Sequence, residues 1–346
     1  MIDKILDLVN GKNVFIATHW DADGITSGAM LYHSLKNHAK SIRTLSKGKV
    51  FRIEDSDIPE DADIVICADV QPSNSIKQGV IYVDHHPYEE NVKGLKSEFI
   101  FKAYDTGYQS SSYLLWDQVL KQTGEPYMVF LALLGFFGDA GKNDEIPIEL
   151  EVKALDSFPE LMEPCYWPDG RMCLKIETLV SSINVGKRMH WQGTVPMELL
   201  KSINSYEDFV NKNHPLFREI DNYKRILGQL YRMPVKIEDL GTIDFIKISC
   251  PHNVQGVLCA RHMNEKPILT VNHYDRDNVM GSMRVPENID FDAGAFLQSF
   301  MGRVDGLLGG GHEKAGGMSF PANELENFYK ALKETTSVQA ENEYFK

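Results

Sequence analysis

The chain has 346 residues, a length that predicts roughly two domains. Its 43% hydrophobic and 25% charged residues are the balance of an ordinary globular protein, long enough to bury large cores. The net charge of −13, from 36 Lys+Arg against 49 Asp+Glu, counts against long duplex DNA as a substrate. Short anionic substrates remain open.

The cysteines and the N-terminal residues indicate the cellular compartment. The five cysteines have irregular spacing and no Cys-x-x-Cys pair, so neither a disulfide framework nor a zinc site is expected. Residues 1–13 have the pattern of an amphipathic helix with acidic residues rather than that of a signal peptide. No apolar stretch approaches the length of a membrane span, so we expect a cytoplasmic protein without membrane association.

The first half of the chain alternates short apolar runs with helical patterns. Strands are predicted at residues 13–18, 42–45, 64–68 and 80–83, and helices at 25–37, 109–122 and 127–137. Continuous runs rich in Val and Ile are typical of strands that are buried on both faces of a parallel sheet. The first domain is therefore predicted to be α/β and to cover residues 1–190.

The second half begins with a polar, mainly helical stretch. Residues 191–233 are interpreted as a connector, and 234–346 as a smaller α/β domain. This domain has predicted strands at 244–249, 268–271 and 279–284, and predicted helices at 253–264 and 291–304. It ends in a glycine-rich run from residue 309 to residue 317, and the polar tail from about residue 335 is expected to fray.

Three predicted strands of the first domain end in acidic residues or histidines. One leads into His19-Trp20-Asp21-Ala22-Asp23-Gly24, the next into Asp69, and the third into Asp84-His85-His86. Because ligands of parallel α/β sheets bind beyond the carboxyl ends of the strands, we expect these side chains to meet at one edge. Asp139, at the end of an apolar helix, is a further candidate.

Such a collection of carboxylates predicts a metal site. Carboxylates placed together repel, and burying them is costly unless a cation neutralises them. Carboxylate and imidazole ligands suit Mn²⁺ or a similar first-row ion better than Ca²⁺, with Mg²⁺ or Co²⁺ as alternatives. Two ions about 3.5–4 Å apart can share a carboxylate, activate a water and clamp phosphoryl oxygens.

Each element of this pattern also has a purely structural explanation. Asp69 alone could cap a helix after its strand, and the His-x-Asp-x-Asp segment alone could be an ordinary loop. These explanations do not account for all the segments together, in this order and each at a strand end. The metal site is the better interpretation.

The four segments resemble the successive motifs of the DHH phosphoesterase superfamily. They are His19-x-Asp21-x-Asp23-Gly24, a strand ending in Asp69, Asp84-His85-His86, and Gly138-Asp139. The C-terminal region resembles the associated DHHA1 domain through residues 281–284 and 310–317. The family includes RecJ exonucleases, nanoRNases, cyclic dinucleotide phosphodiesterases and family II pyrophosphatases. The resemblance implies an active site in the cleft between a parallel-sheet DHH domain and the DHHA1 domain.

The resemblance also implies roles for the metal ligands. His19 and Asp21 would hold one ion, Asp23, His85 and Asp139 the other, and Asp69 would bridge them. His86 would face the phosphate and assist charge stabilisation or proton transfer, while Asp84 would orient a neighbouring group. The attacking group would be a water activated by the two metals.

The candidate substrate-binding residues lie further along the chain. Arg284 and His312 are expected to bind a phosphate, and Gly310 and Gly311 to let backbone N–H groups approach it, although these glycines could merely make a tight turn. Asn184 and Arg188 have the spacing of an Asn-x-x-x-Arg element of RecJ-type nucleases, here with Gly186-Lys187 as a departure. A helix cap plus a solvated arginine is the alternative.

We therefore predict a metal-dependent phosphodiesterase that acts on short RNA or DNA oligonucleotides or single-stranded nucleic acid from an end. The alternatives are a RecJ-like single-stranded DNA exonuclease, a cyclic dinucleotide or 3′-phosphonucleotide phosphatase, and a non-catalytic replication-associated scaffold. Intact ligands at every motif argue against the scaffold. Homodimerisation, the metal used and the polarity of digestion stay open.

Overall fold

The protein is described from a computed structural model, which covers residues 2–48, 52–86, 97–102, 107–139, 144–167 and 170–344. The chain divides into two compact units, Met1–Lys224 and Arg225–Lys346. The predicted division also separates a helical connector at residues 191–233, and that three-part division stays a prediction. Among the described residues, no helix has the length and apolar character needed to cross a bilayer.

The first unit is built around a parallel sheet with helices. Its strands are β1 (Asn13–His19), β2 (Ser41–Lys47), β3 (Arg52–Ile53), β4 (Ile64–Ala68), β5 (Gln71–Pro72), β6 (Gly79–Asp84), β7 (Ser97–Lys102), β8 (Pro164–Tyr166) and β9 (Met172–Leu174). Its helices are α1 (Ile2–Val9), α2 (Ala22–Leu35), α3 (Ser111–Leu115), α4 (Pro126–Asp139), α5 (Ile148–Ser157), α6 (Lys175–Ile183), α7 (Val185–His190), α8 (Thr194–Ser202), α9 (Tyr206–Val210) and α10 (Leu216–Leu230). Helix α10 begins in the first unit and ends in the second.

The main sheet of the first unit has the order β2-β1-β4-β6-β7, and all its pairings are parallel. Alternate apolar residues of β1, β4 and β6, among them Phe15, Val65 and Tyr82, share one buried cluster, which is why these runs have the pattern of buried strands. The predicted α/β class and parallel sheet are confirmed. The predicted helix at 109–122 is instead α3 followed by a π-helical turn, Trp116–Leu120, and a 3-10 turn.

The second unit contains a mixed six-stranded sheet. Its strands are β10 (Ile237–Asp239), β11 (Asp244–Ile248), β12 (Ile268–Asn272), β13 (Asn278–Arg284), β14 (Leu308–His312) and β15 (Ala315–Pro321), in the order β10-β11-β12-β13-β15-β14. Its helices are α11 (Gln255–His262), α12 (Ala293–Gln298) and α13 (Leu325–Tyr344). One face of the sheet packs on α12 and α13 through residues such as Phe300, Phe320 and Phe328.

In the C-terminal region the structure differs from one expectation, that the tail frays, and from one alternative, that the glycines merely make a tight turn. The tail does not fray at residue 335, because α13 continues to Tyr344 and Thr336 is buried. The glycines do not form the turn themselves: Gly309, Gly310 and Gly311 lie in β14, which pairs antiparallel with β15. Only glycine suits position 311, where φ is +141° and a Cβ would lie 2.4 Å from the Ala315 carbonyl oxygen.

A tight contact between α2, α3 and α4 gives a stability prediction. A Cβ on Gly135 would lie 2.1 Å from Ser112 Oγ and 2.4 Å from Thr26 Oγ1, so Gly135→Ala should lower the free energy of unfolding by about 1–3 kcal/mol through overpacking. A Cβ on Gly228 in α10 would meet no atom within 4 Å, so the control Gly228→Ala should stabilise by about 0.5–1 kcal/mol. Urea denaturation midpoints measure both, and equal midpoints for the two variants would contradict this packing argument.

Candidate functional site

The predicted metal ligands lie at the carboxyl edge of the parallel sheet. Adjacent strands β1, β4 and β6 lead directly into the three motif segments that begin at His19, Asp69 and Asp84. Asp139 is the last residue of α4, whose end lies so close to α2 that a Cβ on Gly138 would come within 2.7 Å of the Ala22 Cβ. The fold therefore brings together segments that are far apart in the chain.

The donor atoms form two groups that share Asp69. The His19 group contains His19, Asp21 and Asp69, and the His85 group contains Asp23, Asp69, His85 and Asp139. Within each group one ligand atom from every residue lies within 4.8 Å of the others. The shortest separations are 2.7 Å between His19 Nδ1 and Asp21 Oδ2, and 3.1 Å between His85 Nε2 and Asp139 Oδ2. All six predicted ligands thus come together.

Asp69 has the environment expected of a cation ligand. Its carboxylate is buried, Ser111 Oγ donates to Oδ1 at 3.1 Å, and Oδ2 has no hydrogen-bond partner among the described residues. Its backbone is in the left-handed region, with φ +59°, a costly conformation that is concentrated at functional sites. Burial and the charges of Asp23 and Asp21 raise the pKa of Asp69 well above its usual range. A bound divalent cation would relieve this repulsion, so the donor set fits one.

The carboxylate of Asp23 is held by the first turn of α3. The backbone N–H groups of Ser111 and Ser112 donate to Asp23 Oδ2 and Oδ1 at 2.6 and 2.8 Å. Burial and the charge of Asp139 nevertheless raise the pKa of Asp23 to about 6. The serines were not among the predicted site residues, although serine before an apolar run signals a helix start.

Asp21, the N-cap residue of α2, lies beside two basic groups. Its Oδ1 accepts the N–H of Gly24 at 3.3 Å, while Oδ2 lies 2.7 Å from His19 Nδ1 and 3.7 Å from Lys187 Nζ. Burial opposes the charge, but His19 and Lys187 outweigh it and hold the pKa of Asp21 below its usual range. Burial lowers the pKa of Lys187, although the charge of Asp21 acts in the opposite direction. In the sequence, Lys187 was singled out only as part of Gly186-Lys187, which departs from the usual residues of the Asn-x-x-x-Arg element.

His86 and Asp84 form a hydrogen-bonded pair beside the His85 group. His86 Nδ1 lies 2.7 Å from Asp84 Oδ1, which also accepts the His86 backbone N–H at 3.0 Å, and the Tyr82 hydroxyl donates to Oδ2 at 2.6 Å. Burial disfavours a charged ring, but the hydrogen bond and charge of Asp84 outweigh it and raise the pKa of His86. Asp69, Asp84, His85 and His86 form a third group with ligand spacing, so the geometry alone leaves His86 available to a metal.

The Asn-x-x-x-Arg element lies next to the first motif. Asn184 Oδ1 accepts the backbone N–H of Ala22 at 3.0 Å, and Asn184 makes no side-chain cap bond to α7. The side chain therefore fixes the motif loop instead of capping that helix. Arg188 follows on the same helix and is half-buried.

Three of the predicted substrate residues of the second unit, Arg284, Gly310 and His312, share one face of its sheet, and Gly311 lies in the alternate row with Gly316 and Met283. The strand register places Arg284, Ala315 and His312 in one row across β13, β15 and β14, and directly opposite residues project from the same face. The neighbouring row contains Ser282, Gly317 and Gly310. Arg284 Nη1 donates to the Met283 carbonyl oxygen at 2.7 Å and to Ser282 Oγ at 3.3 Å. This face therefore carries the Arg284 guanidinium and the His312 ring beside glycine residues, which have no side chains.

Comparison with known proteins identifies the C-terminal region. Residues 255–337 match the family model of the DHHA1 domain. This stretch begins with α11 and ends in α13, so it contains the strands that carry Arg284 and the glycine run. No curated protein sequence matches the chain.

Solved structures show the same fold over nearly the whole chain. RecJ of Thermus thermophilus in complex with Mn²⁺ is 16% identical, with a TM-score of 0.66 over 96% of this chain and 54% of that one, so this chain spans about half its length. An exonuclease RecJ bound to manganese is 17% identical, with a TM-score of 0.62 over 96% and 93%. An exopolyphosphatase-related protein of Bacteroides fragilis is 14% identical, with a TM-score of 0.50 over 97% and 96%.

The second unit therefore contains a DHHA1 domain, and nearly the whole chain shares its fold with the RecJ structures. The resemblance inferred from the four motifs is confirmed at this level. Among the solved structures, the TM-scores to RecJ are higher than the TM-score to the exopolyphosphatase-related protein.

The raised pKa values predict how metal binding depends on pH. Near pH 5, Asp23, whose pKa is about 6, holds a proton that a metal must displace, whereas near pH 7.5 the carboxylate is already ionised. Mn²⁺ at about a hundredfold excess over its dissociation constant should raise the unfolding midpoint by roughly 5–10 °C at the higher pH. The same Mn²⁺ concentration should raise it much less at the lower pH.

Differential scanning calorimetry at both pH values measures this shift. Asp139→Asn should lose most of it, because Asp139 belongs to the His85 group, whereas Asp156→Asn on the exposed side of α5 should keep it. A shift that is equal at both pH values and in all three proteins would rule out these carboxylates as the metal ligands.

Proposed function

We propose that the protein is a metal-dependent phosphodiesterase that hydrolyses short RNA or DNA oligonucleotides, or single-stranded nucleic acid, from an end. The observation that carries this proposal is the pair of donor groups that share the buried carboxylate of Asp69, whose backbone has a positive φ. Bringing buried carboxylates together costs electrostatic free energy, and a purely structural role does not explain that cost. A two-metal phosphoesterase needs this arrangement.

Each donor group would hold one divalent ion. His19 and Asp21 would bind the first, Asp23, His85 and Asp139 the second, and Asp69 both. Mn²⁺ suits this mixed imidazole and carboxylate set, with Mg²⁺ or Co²⁺ as alternatives. When bound, such ions activate water and neutralise charge on phosphoryl oxygens.

His86 would act on the substrate rather than on a metal. Its Nδ1 is engaged by Asp84, so the opposite ring nitrogen, Nε2, is the one to address a phosphate. Because Asp84 raises the pKa of His86, the ring holds a proton more readily and can stabilise negative charge or donate to a leaving oxygen. Asp84, itself held by Tyr82, would be the orienting group.

The substrate class follows from charge and from the residues outside the metal groups. A net charge of −13 gives no general attraction for a long polyanion, so local contacts must supply the binding. Candidates are Arg188 on α7 of the first unit and, on the second unit, Arg284, His312 and the Gly310-Gly311 backbone, all of which are suited to binding phosphates. A few such contacts serve a short strand.

A RecJ-like exonuclease on longer single-stranded DNA is the second candidate. The similarity of the fold to RecJ structures supports it, as does the Asn184 and Arg188 element at the motif loop. It differs from the first candidate in the length of strand that is preferred.

Hydrolysis of labelled RNA and DNA of graded length tests the proposal. We expect release of mononucleotides that is abolished by chelation and restored by Mn²⁺, with rates that fall as strands lengthen beyond a few nucleotides. Asp69→Ala should remove activity because both ions depend on this residue, whereas Asp156→Ala should retain it. Full activity in Asp69→Ala would refute the two-metal proposal, and faster digestion of long strands would favour the RecJ-like candidate.

A substitution in the second unit separates binding from chemistry. Losing a charged hydrogen bond costs about 1.5–3 kcal/mol, so Arg284→Ala should lower kcat/KM for oligonucleotides roughly tenfold to hundredfold. Hydrolysis of the small ester bis-p-nitrophenyl phosphate should be nearly unchanged. Arg276→Ala, an exposed arginine of the same unit, is the control for both substrates. An equal loss on both substrates would mean that Arg284 supports the fold instead of binding nucleotides.

A further inference from the structure

Two cysteines of the first unit face each other across a hairpin that lies outside the candidate metal site. Strands β8 and β9 pair antiparallel, and Cys165 lies directly opposite Cys173. Their Sγ atoms are 3.2 Å apart and share a hydrogen bond, and both cysteines are free thiols. Directly opposite residues of an antiparallel pair have Cα atoms about 4.5–5.5 Å apart, which is within the range that a disulfide spans. The backbone therefore already has the spacing of a disulfide-bonded pair.

Hydrogen bonds on both sides of the pair fix the register that brings these sulfurs together. At the turn, the N–H of Trp167 donates to the Arg171 carbonyl oxygen at 2.8 Å. At the other end of the hairpin, the N–H of Lys175 donates to the Glu163 carbonyl oxygen at 3.0 Å. A slip of one residue would place the two thiols on opposite faces of the hairpin, and these bonds oppose such a slip.

The two thiols differ in exposure and in acidity. Cys165 is partly exposed, whereas Cys173 is only 5% exposed. Burial and the hydrogen bond with Cys165 raise the pKa of the Cys173 thiol to about 11. At neutral pH Cys173 therefore keeps its proton, and Cys165 is the thiol that a dissolved oxidant reaches. An accessible thiol beside a second thiol within bonding reach is an arrangement that redox-sensitive cysteines often have.

A metal ion fits this pair less well than oxidation does. Structural zinc sites are tetrahedral, so two thiolates would need further ligands. Among the described residues, no group of three or more side chains with ligand spacing includes Cys165 or Cys173. The arrangement therefore favours thiol–disulfide chemistry over metal binding.

We propose that Cys165 and Cys173 are a reversible redox site, which forms an intramolecular disulfide when the protein meets a peroxide or a low-molecular-weight disulfide. With hydrogen peroxide, the Cys165 thiolate attacks one oxygen and becomes a sulfenic acid as hydroxide leaves. The Cys173 thiol then gives its proton to the second leaving hydroxide, and its sulfur bonds to the Cys165 sulfur. The two thiols lose two electrons and two protons, and the peroxide is reduced to water. With glutathione disulfide, Cys165 forms a mixed disulfide, and Cys173 displaces the second glutathione thiolate.

The disulfide would stabilise a hairpin whose outer face is exposed. Tyr166 and Met172 lie opposite each other next to the cysteine pair, and they are 72% and 71% exposed. A two-stranded hairpin is marginally stable by itself, so we expect it to open locally. A covalent bond between its strands removes conformational freedom from the open state. Oxidation should therefore suppress opening of the hairpin just before α6 begins at Lys175.

Thiol counting and peptide mapping on the full chain test the proposal. A small excess of hydrogen peroxide, or glutathione disulfide, at neutral pH should lower the number of thiols that react in denaturant from five to three, because two sulfurs are joined. Mass spectrometry should find Cys165 linked to Cys173, and dithiothreitol should restore all five thiols. Hydrogen exchange in residues 164–167 and 171–174 should slow by on the order of tenfold to hundredfold in the oxidised protein.

Two variants complete the test. Cys173→Ser should form no linked peptide and should keep the exchange rates of the reduced protein. The matched control Cys250→Ala, which removes a buried cysteine of the second unit, should still form the link and show the slower exchange.

Several outcomes would overturn the proposal. One is that five thiols remain after either oxidant, and another is a disulfide that joins two chains, seen as a dimer on a non-reducing gel. A linked peptide with unchanged hydrogen exchange would overturn the stabilisation of the hairpin. None of these measurements involves phosphodiester hydrolysis, so the result is independent of the proposed function.

Discussion

Mutual repulsion between carboxylates at one edge of the parallel sheet is the constraint on which the first unit depends. Burial and neighbouring charge raise the pKa of Asp23 and Asp69, and much of the surrounding structure compensates for that cost. The first turn of α3 holds Asp23, His19 and Lys187 flank Asp21, and the His86 ring pairs with Asp84. The unusual backbone of Asp69 is stable only because the sheet and these contacts determine it.

The sequence predicted which carboxylates and histidines come together but not the residues that hold them, and the reason is physical. A carboxylate directly after an apolar strand is visible locally, and the topology of a parallel sheet places it without further information. Ser111 and Lys187 contact Asp69 and Asp21 through pairings of residues far apart in the chain, which no local pattern encodes. Asn184 was visible only as a short motif, and its contact with Ala22 lies 162 residues away in the chain.

The second unit differs from local sequence patterns at two places, for a different reason. A glycine run indicates backbone freedom but does not say whether the chain turns or stays extended, and here it is extended because β15 supplies a pairing partner. The tail was predicted to fray because of its polarity, yet α13 continues through it and Thr336 is buried. In both places tertiary packing overrides local composition.

The parallel order of the main sheet has a consequence for the kinetics of folding. The donor groups draw on β1, β4, β6 and the end of α4, and each parallel pairing requires a crossover before the strands can meet. Such non-local contacts form slowly, and every donor group combines residues from the ends of at least two strands. A metal ion bound by these groups would therefore meet its ligands only after the strands have paired. It should leave the folding rate nearly unchanged and slow the unfolding rate instead, so that metal supply governs how long a folded molecule survives rather than how quickly one is made.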